Sequence, residues 1–247
     1  MDAPHSGTRF ARRLARVLGT VLTVLGVVAL VWGVVVWRWG DPVTGLYTKW
    51  EQRQLSGQLE SLEKTYGPAA RQPATSQRPH PTMPVNAKAL ARRLRMTTAS
   101  GDPVGRIRVS RLGLNMIVVD GTDHDALIRG PGIDRRTHLP GEGELIYVAG
   151  HRTTYGAPFA NIDRLGIGDK IEMDMPYGTF VYRVTSHVIV PADDLARLRS
   201  RGREEIALQA CHPRFSARER YIVYATPVGN SVTKTTAAAS ATNAEPS

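Results

Sequence analysis

The chain has 247 residues, and 32 Lys+Arg against 22 Asp+Glu give it a formal net charge of +10. That length allows one good core plus attachments, and the charge suits an anionic lipid surface, an anionic cell wall or nucleic acid. No zinc-finger spacing, RNA-binding signature or dense basic block with interleaved aromatics is present, so no nucleic-acid partner is expected. A single cysteine excludes an intrachain disulfide, and the fold must rely on packing.

The N-terminus sets the compartment. Val17 to Trp37 is an uncharged run of twenty-one residues, which as a helix spans about 30 Å, the thickness of a bilayer core. Arg9, Arg12, Arg13 and Arg16 precede it. By the positive-inside rule residues 1–16 stay cytoplasmic and the chain beyond Gly40 is exported. A cleaved signal peptide is the alternative, but its apolar region is usually shorter, and Trp37-Arg-Trp-Gly-Asp-Pro42 has no small-x-small cleavage site. An uncleaved single-pass anchor at 17–37 is the reading.

Residues 38–100 read as a stalk and linker. Leu55, Leu59, Leu62 and Tyr66 fall on one face of an expected helix over Thr44 to Tyr66. Five prolines between Gly67 and Val85 predict an extended spacer. At polyproline pitch it reaches up to roughly 50 Å, enough to lift a domain off the membrane. A short basic helix is expected over Ala87 to Thr97. Residues 229–247 are mostly Ser, Thr and Ala with no core-forming pattern, and predict a disordered tail.

Between Gly101 and Val228 short apolar or alternating runs recur at Arg106–Val109, Leu114–Val119, Leu145–Ala149, Lys170–Met175, Thr179–Thr185, His187–Val190, Glu205–Gln209 and Tyr221–Ala225. Turn signals such as Gly166-Ile-Gly-Asp169 and Pro176-Tyr-Gly178 separate them. Some eight short strands predict a mainly β domain, a closed or nearly closed barrel. Only Pro158 to Leu165 and Asp193 to Arg199 read as helical.

Cys211 ends one of these strands, and Pro213 turns the chain at once. Arg214, Arg218 and Arg220 lie nearby and favour a thiolate. A lone cysteine is more often a small hydrophobe than a nucleophile, so position and surroundings decide. A phosphatase loop needs Arg six residues after Cys, where Ala217 stands. Among the histidines, His212 adjoins Cys211 and points to the opposite face of an extended segment. His187 sits within a strand. His151 follows Ala149-Gly150, where small residues allow close backbone approach. Asp120, Asp123 and Asp125 lack the Gly and distal Glu of a calcium loop and read as turn residues. No metal or cofactor is expected.

The order His…Cys…Arg behind an anchor resembles the sortases, the cysteine transpeptidases of Gram-positive bacteria, and in particular the class E type of actinobacteria. The resemblance rests on Gly130-Pro-Gly132, Leu139-Pro-Gly-Glu142, Ala149-Gly-His-Arg-Thr-Thr-Tyr-Gly-Ala-Pro-Phe159, Gly168-Asp169, and Cys211-His-Pro213 followed by Arg220. It implies a sortase-like closed β-barrel over 101–228 with Cys211, His151 and Arg220 as catalytic residues. It also implies cleavage between Thr and Gly of a C-terminal Leu-Ala/Pro-x-Thr-Gly signal on secreted proteins, and transfer to a peptidoglycan-precursor amine. Arg220 is preferred to Arg214 and Arg218 because it directly precedes the last strand, as the family's arginine does.

One departure stands out. Sortases carry Thr-Leu-x-Thr before the cysteine, whereas this chain has Ala207-Leu-Gln-Ala210. Ala210 and Gln209 are therefore candidate substrate-binding positions whose chemistry differs, and losing one hydroxyl donor could cost about 2–4 kcal/mol of transition-state stabilisation. Thr153 and Tyr155 are further groove candidates, with a turn-forming role equally open, and Arg152 reads as a surface or supporting residue. A non-catalytic envelope scaffold and a hydrolytic thiol peptidase remain the alternative classes.

Overall fold

In a computed structural model of the chain, residues 6–39, 42–70 and 87–228 are described. The expected tail at 229–247 and most of the proline-rich segment lie outside them. Helix α1 (Ser6–Trp39) contains a stretch, Arg12–Val35, that is long and apolar enough to cross a membrane, with mean hydropathy 2.4. Helices α2 (Pro42–Ala70) and α3 (Ala87–Thr97) follow.

The barrel begins with β1 (Pro103–Val109) and β2 (Leu114–Asp120), continues through the short α4 (His124–Arg129), and then β3 (Gly132–Ile133) and β4 (Leu145–Ala149). It is completed by β5 (Lys170–Met175), β6 (Gly178–Pro191), β7 (Glu205–His212) and β8 (Glu219–Pro227). The strands close in the order β1-β2-β3-β4-β7-β8-β6-β5, with β5 returning to β1. Two pairings are parallel, β2 with β3 and β4 with β7.

Two expected strands, Thr179–Thr185 and His187–Val190, are one long β6 that bends at a register shift between Val184 and Ser186. An irregularity of this kind breaks the inside-outside alternation that marks a single strand. The two-residue β3 is too short to leave a pattern. The helices expected at Pro158–Leu165 and Asp193–Arg199 are single 3₁₀ turns, Ile162–Arg164 and Leu195–Leu198, while α4 was not anticipated. Asp123 caps α4 by accepting from Ala126 N at 3.0 Å.

Alternation along β7 sorts its residues. Ile206, Leu208 and Ala210 enter the inner core with Val148, Tyr182 and Val223. Ala207 joins an outer cluster with Leu145, Tyr147, Val190, Ile222 and Tyr224. That second cluster floors the face where Gln209 and Cys211 emerge.

Helix α2 is part of this folded unit rather than a free stalk. Leu55 and Leu59 are buried against Ile117, Val119 and Ala126, each burial contributing about 1.5–3 kcal/mol. Between β1 and the short β3 pairing, one edge of β2 is open at Ile117. The Gln52 amide closes it, accepting from Ile117 N at 2.7 Å and donating to Ile117 O at 3.0 Å and Arg129 O at 2.9 Å. Glu51 pairs with Arg129 at 2.9 Å, and Thr48 donates to Ile128 O at 3.0 Å. Helix α3, expected as a basic lead-in, buries Ala87, Ala91 and Leu94 in the inner core beside Tyr66 of α2.

Candidate active site

Three elements converge on one cavity of about 260 Å³. Parallel β4 and β7 place Ala149 opposite Gln209, and Gly150 N donates to Gln209 O at 3.0 Å. The chain therefore leaves β4 level with the end of β7, which brings His151 beside Cys211. A Cβ on Gly150 would lie 2.6 Å from the buried ring of Phe159, so only glycine allows this path. Antiparallel β7 and β8 pair Cys211 directly with Arg220. Arg220 thus lies inside β8, one residue past its start, rather than before it.

Cys211, His151 and Arg220 all line the cavity, together with Gln209. Thr122, Asp134, Arg136, Val190, Leu195 and Leu198 are also in its lining. Thr153 and Tyr155 do not line it. Tyr155 instead packs its ring at a tilt beside His151, ring centroids 5.0 Å apart, in a left-handed backbone conformation at φ 50°. Ala210 is fully buried on the inner side of the barrel, away from the cavity. A side chain there meets the core before it meets a substrate.

Burial holds the His151 imidazole below its ordinary range, and the nearby His124 lowers it further. Its Nε2 is buried without a hydrogen-bond partner among the described residues. A neutral ring with a free nitrogen is suited to take up or return a proton at a reacting atom. One nitrogen of Arg220, Nη1, donates to Ala217 O at 2.9 Å and Glu219 O at 3.0 Å. These bonds fix the guanidinium at the cavity wall, and its other N–H groups stay available in fork geometry for a carbonyl oxygen.

Arg152, read from sequence as a surface or supporting residue, is only 5% exposed. Its Nη1 donates to the Cys211 carbonyl at 3.2 Å and lies 3.0 Å from His212 Nδ1, while Nη2 pairs with Asp163 at 2.9 Å. Arginine has no acceptor, so Nδ1 of His212 accepts and its proton sits on Nε2. This occupies His212 on the side away from the thiol, as strand alternation predicts. Asp134 is the second feature that sequence reading missed. Burial alone would raise its carboxyl, yet two-armed bonds from Arg136 at 2.9 and 2.6 Å hold it below the usual range. The Asp-Arg-Arg triplet at 134–136 carries no pattern that marks a cavity wall.

A thiol, an imidazole and an anchored guanidinium on one wall of a cavity define a protein equipped for thiol acyl transfer. Residues 107–228, nearly all of the barrel, match the family described as Sortase domain. The chain is 32% identical over 130 residues to Sortase D of Bacillus subtilis (strain 168), covering 51% of this chain and 64% of that protein. It spans less than two thirds of the length of the curated relatives it matches. The fold is similar to that of a Clostridium perfringens Sortase D5 transpeptidase, with TM-score 0.53 and 20% identity, over 70% of this chain and 99% of that one. It is also similar to Sortase E1 from Streptomyces coelicolor, solved with a tripeptide in its active site, at TM-score 0.50 and 25% identity over 53% and 91% of the two chains.

Proposed function

We propose that the chain is a membrane-anchored sortase of class E type, with residues 1–16 in the cytoplasm and the barrel outside the cell. The observation that carries this is the convergence of Cys211, His151 and Arg220 on one cavity of the sortase barrel.

His151 takes the proton of the Cys211 thiol, and the resulting thiolate attacks the Thr carbonyl carbon of a C-terminal Leu-Ala/Pro-x-Thr-Gly signal. The carbonyl electron pair moves to oxygen, and Arg220 donates to that developing oxyanion. As the intermediate collapses, the Thr–Gly C–N bond breaks and His151 gives its proton to the leaving amine. The remaining thioester is then attacked by an acceptor amine, such as that of a peptidoglycan precursor. His151 removes the proton from the attacking nitrogen, the C–S bond breaks, and the thiolate returns. No cofactor enters either step.

Sortase D of Bacillus subtilis aligns over 130 residues, which favours a class D type as the second reading. The class E reading rests on the Ala149–Phe159 string and on the likeness to Sortase E1. The test is to incubate the full-length chain, in detergent, with Leu-Ala-x-Thr-Gly and Leu-Pro-x-Thr-Gly peptides and an amine acceptor. The expected result is a thioacyl adduct on Cys211 and a ligated product, both lost in Cys211→Ala and His151→Ala. Preference for the Ala peptide supports class E, and preference for Pro supports the second reading. Adduct formation with release of free acid alone would make it a hydrolase. No adduct from folded protein with either peptide would leave a non-catalytic scaffold.

A further inference from the structure

The path between α1 and the barrel is short. Helices α2 and α3 both pack on the barrel, so the length of the segment between them adds nothing to the distance between α1 and the barrel. The tether is the chain from the end of the apolar stretch at Val35 to Thr44, where the fold begins. Thr44 Oγ1 accepts from the backbone N–H of Tyr155 at 2.8 Å, on the same loop as His151. With α1 running to Trp39 and α2 starting at Pro42, even full extension between those two residues limits the distance from Val35 to Thr44 to roughly 20 Å.

The face of α2 turned away from the barrel changes character along its length. Leu46 is 69% exposed and Trp50 52%, with Tyr47 partly exposed beside them. Lys49 and Arg53 are exposed on the same two turns. Farther on, the exposed side chains are polar, among them Gln54, Gln58, Glu60, Glu63, Lys64 and Thr65. Apolar and aromatic exposure is thus confined to the end nearest α1. Aromatic rings, a leucine and flanking basic side chains on one helix face suit the boundary between acyl chains and anionic headgroups.

We propose that this face of α2, Leu46, Tyr47 and Trp50 flanked by Lys49 and Arg53, rests on the anionic lipid surface and holds the His151 loop at the membrane. The proposal rests on the reading of α1 as a membrane anchor. It makes the site one that meets substrates and acceptors at the bilayer surface, because residues 44–52 bind the barrel on one side and lipid on the other.

The test is nitroxide accessibility in the full-length chain, reconstituted in vesicles of phosphatidylglycerol and phosphatidylcholine. Single labels go at Leu46→Cys, Trp50→Cys, Ser61→Cys and Val24→Cys in a Cys211→Ala background, each variant first matched to its parent in melting temperature. Labels at 46 and 50 are expected to collide with a water-soluble nickel complex roughly threefold less often than the label at 61, and more often than the one at 24. Labels at 46 and 50 as accessible as 61, with 24 protected, would overturn the docking while leaving the anchor standing. A fully accessible label at 24 would overturn both.

Discussion

The guanidinium of Arg152 joins the loop after β4 to the end of β7, with Nη1 3.2 Å from the carbonyl oxygen of Cys211. Asp163 steadies its other arm at 2.9 Å. Arg152 is thus a positioning residue for Cys211, acting through the backbone. Arg152→Ala is expected to lower kcat/KM by about 10–100-fold, mostly in kcat, because small misplacements of reacting groups are costly. Arg152→Lys keeps the charge but not the two-armed geometry, and is expected to recover only part of that loss. Asp163 is half exposed, so Asp163→Asn should cost less than about 1 kcal/mol of stability. Steady-state kinetics and thermal melts on the three variants check this. A change confined to melting temperature would make Arg152 purely structural.

Ala210 gives the opposite expectation from the one its sequence position suggests. It faces the inner core and is fully buried, so Ala210→Thr adds a methyl and a hydroxyl to a packed site. A loss of about 1–3 kcal/mol is expected from overpacking, with kcat within about threefold of the parent. A tenfold rise in kcat would instead restore the hydroxyl to the reaction, by the arithmetic of about 1.4 kcal/mol per decade.

The pH behaviour of His151 follows from its environment. Burial first, and His124 second, lower its folded-state pKa below the unfolded value. The folded chain then binds fewer protons than the unfolded one, so this group adds stability above the unfolded value, near 6.5. That contribution is lost as pH falls through the folded one. His124→Gln should raise the His151 midpoint towards the ordinary value, by removing a like charge. NMR titration of the imidazole resonances in both proteins reads the shift. An unchanged or lower midpoint contradicts it.

Glu204 has the reverse sign. Burial raises its carboxyl above the usual range, although Tyr182 and the N–H groups of Gly143 and Gly141 pull it back. Its contribution is therefore fully present below the unfolded pKa and lost as pH rises through the folded one. Glu204→Ala strands the N–H groups of Gly141 and Gly143 and the Tyr182 hydroxyl, at a cost of about 1–3 kcal/mol for each group left buried and unpaired. Glu204→Gln keeps an acceptor and removes the titration. Denaturant melts across pH should show a flatter profile for Gln and a lower one for Ala. A Gln variant that keeps the parental pH slope would show that the slope arises elsewhere.

Much of the barrel is legible in the sequence because its strands alternate. Seven of the runs between Arg106 and Ala225 fall on strands of the barrel where period-2 patterning meets turn residues, and the eighth, His187–Val190, is the far half of β6. Cys211 and His151 are legible for the same reason, each lying at the end of an apolar run. The exceptions are local. The β6 bend breaks alternation, β3 is two residues long, and the 3₁₀ turns imitate helices over a window too short to separate them. Arg152 and Asp134 escaped because a charged residue in a loop looks solvated until packing buries it.

By itself the sequence determined what depends on neighbours along the chain. It marks the apolar stretch within α1, the alternating strands, the glycine before His151, and the presence of one thiol, several imidazoles and several arginines. Only the tertiary structure decided which of these meet. The β7–β8 register selects Arg220 over Arg214 and Arg218 as the residue opposite Cys211. The inward face of β7 removes Ala210 from the cavity, and the packing of α2 turns an expected stalk into a clamp on the His151 loop. Strand register and helix docking are set by contacts between residues far apart in sequence, through burial and edge hydrogen bonds. A pattern read along the chain records which side chains seek a core, but not which partners the closed barrel will supply.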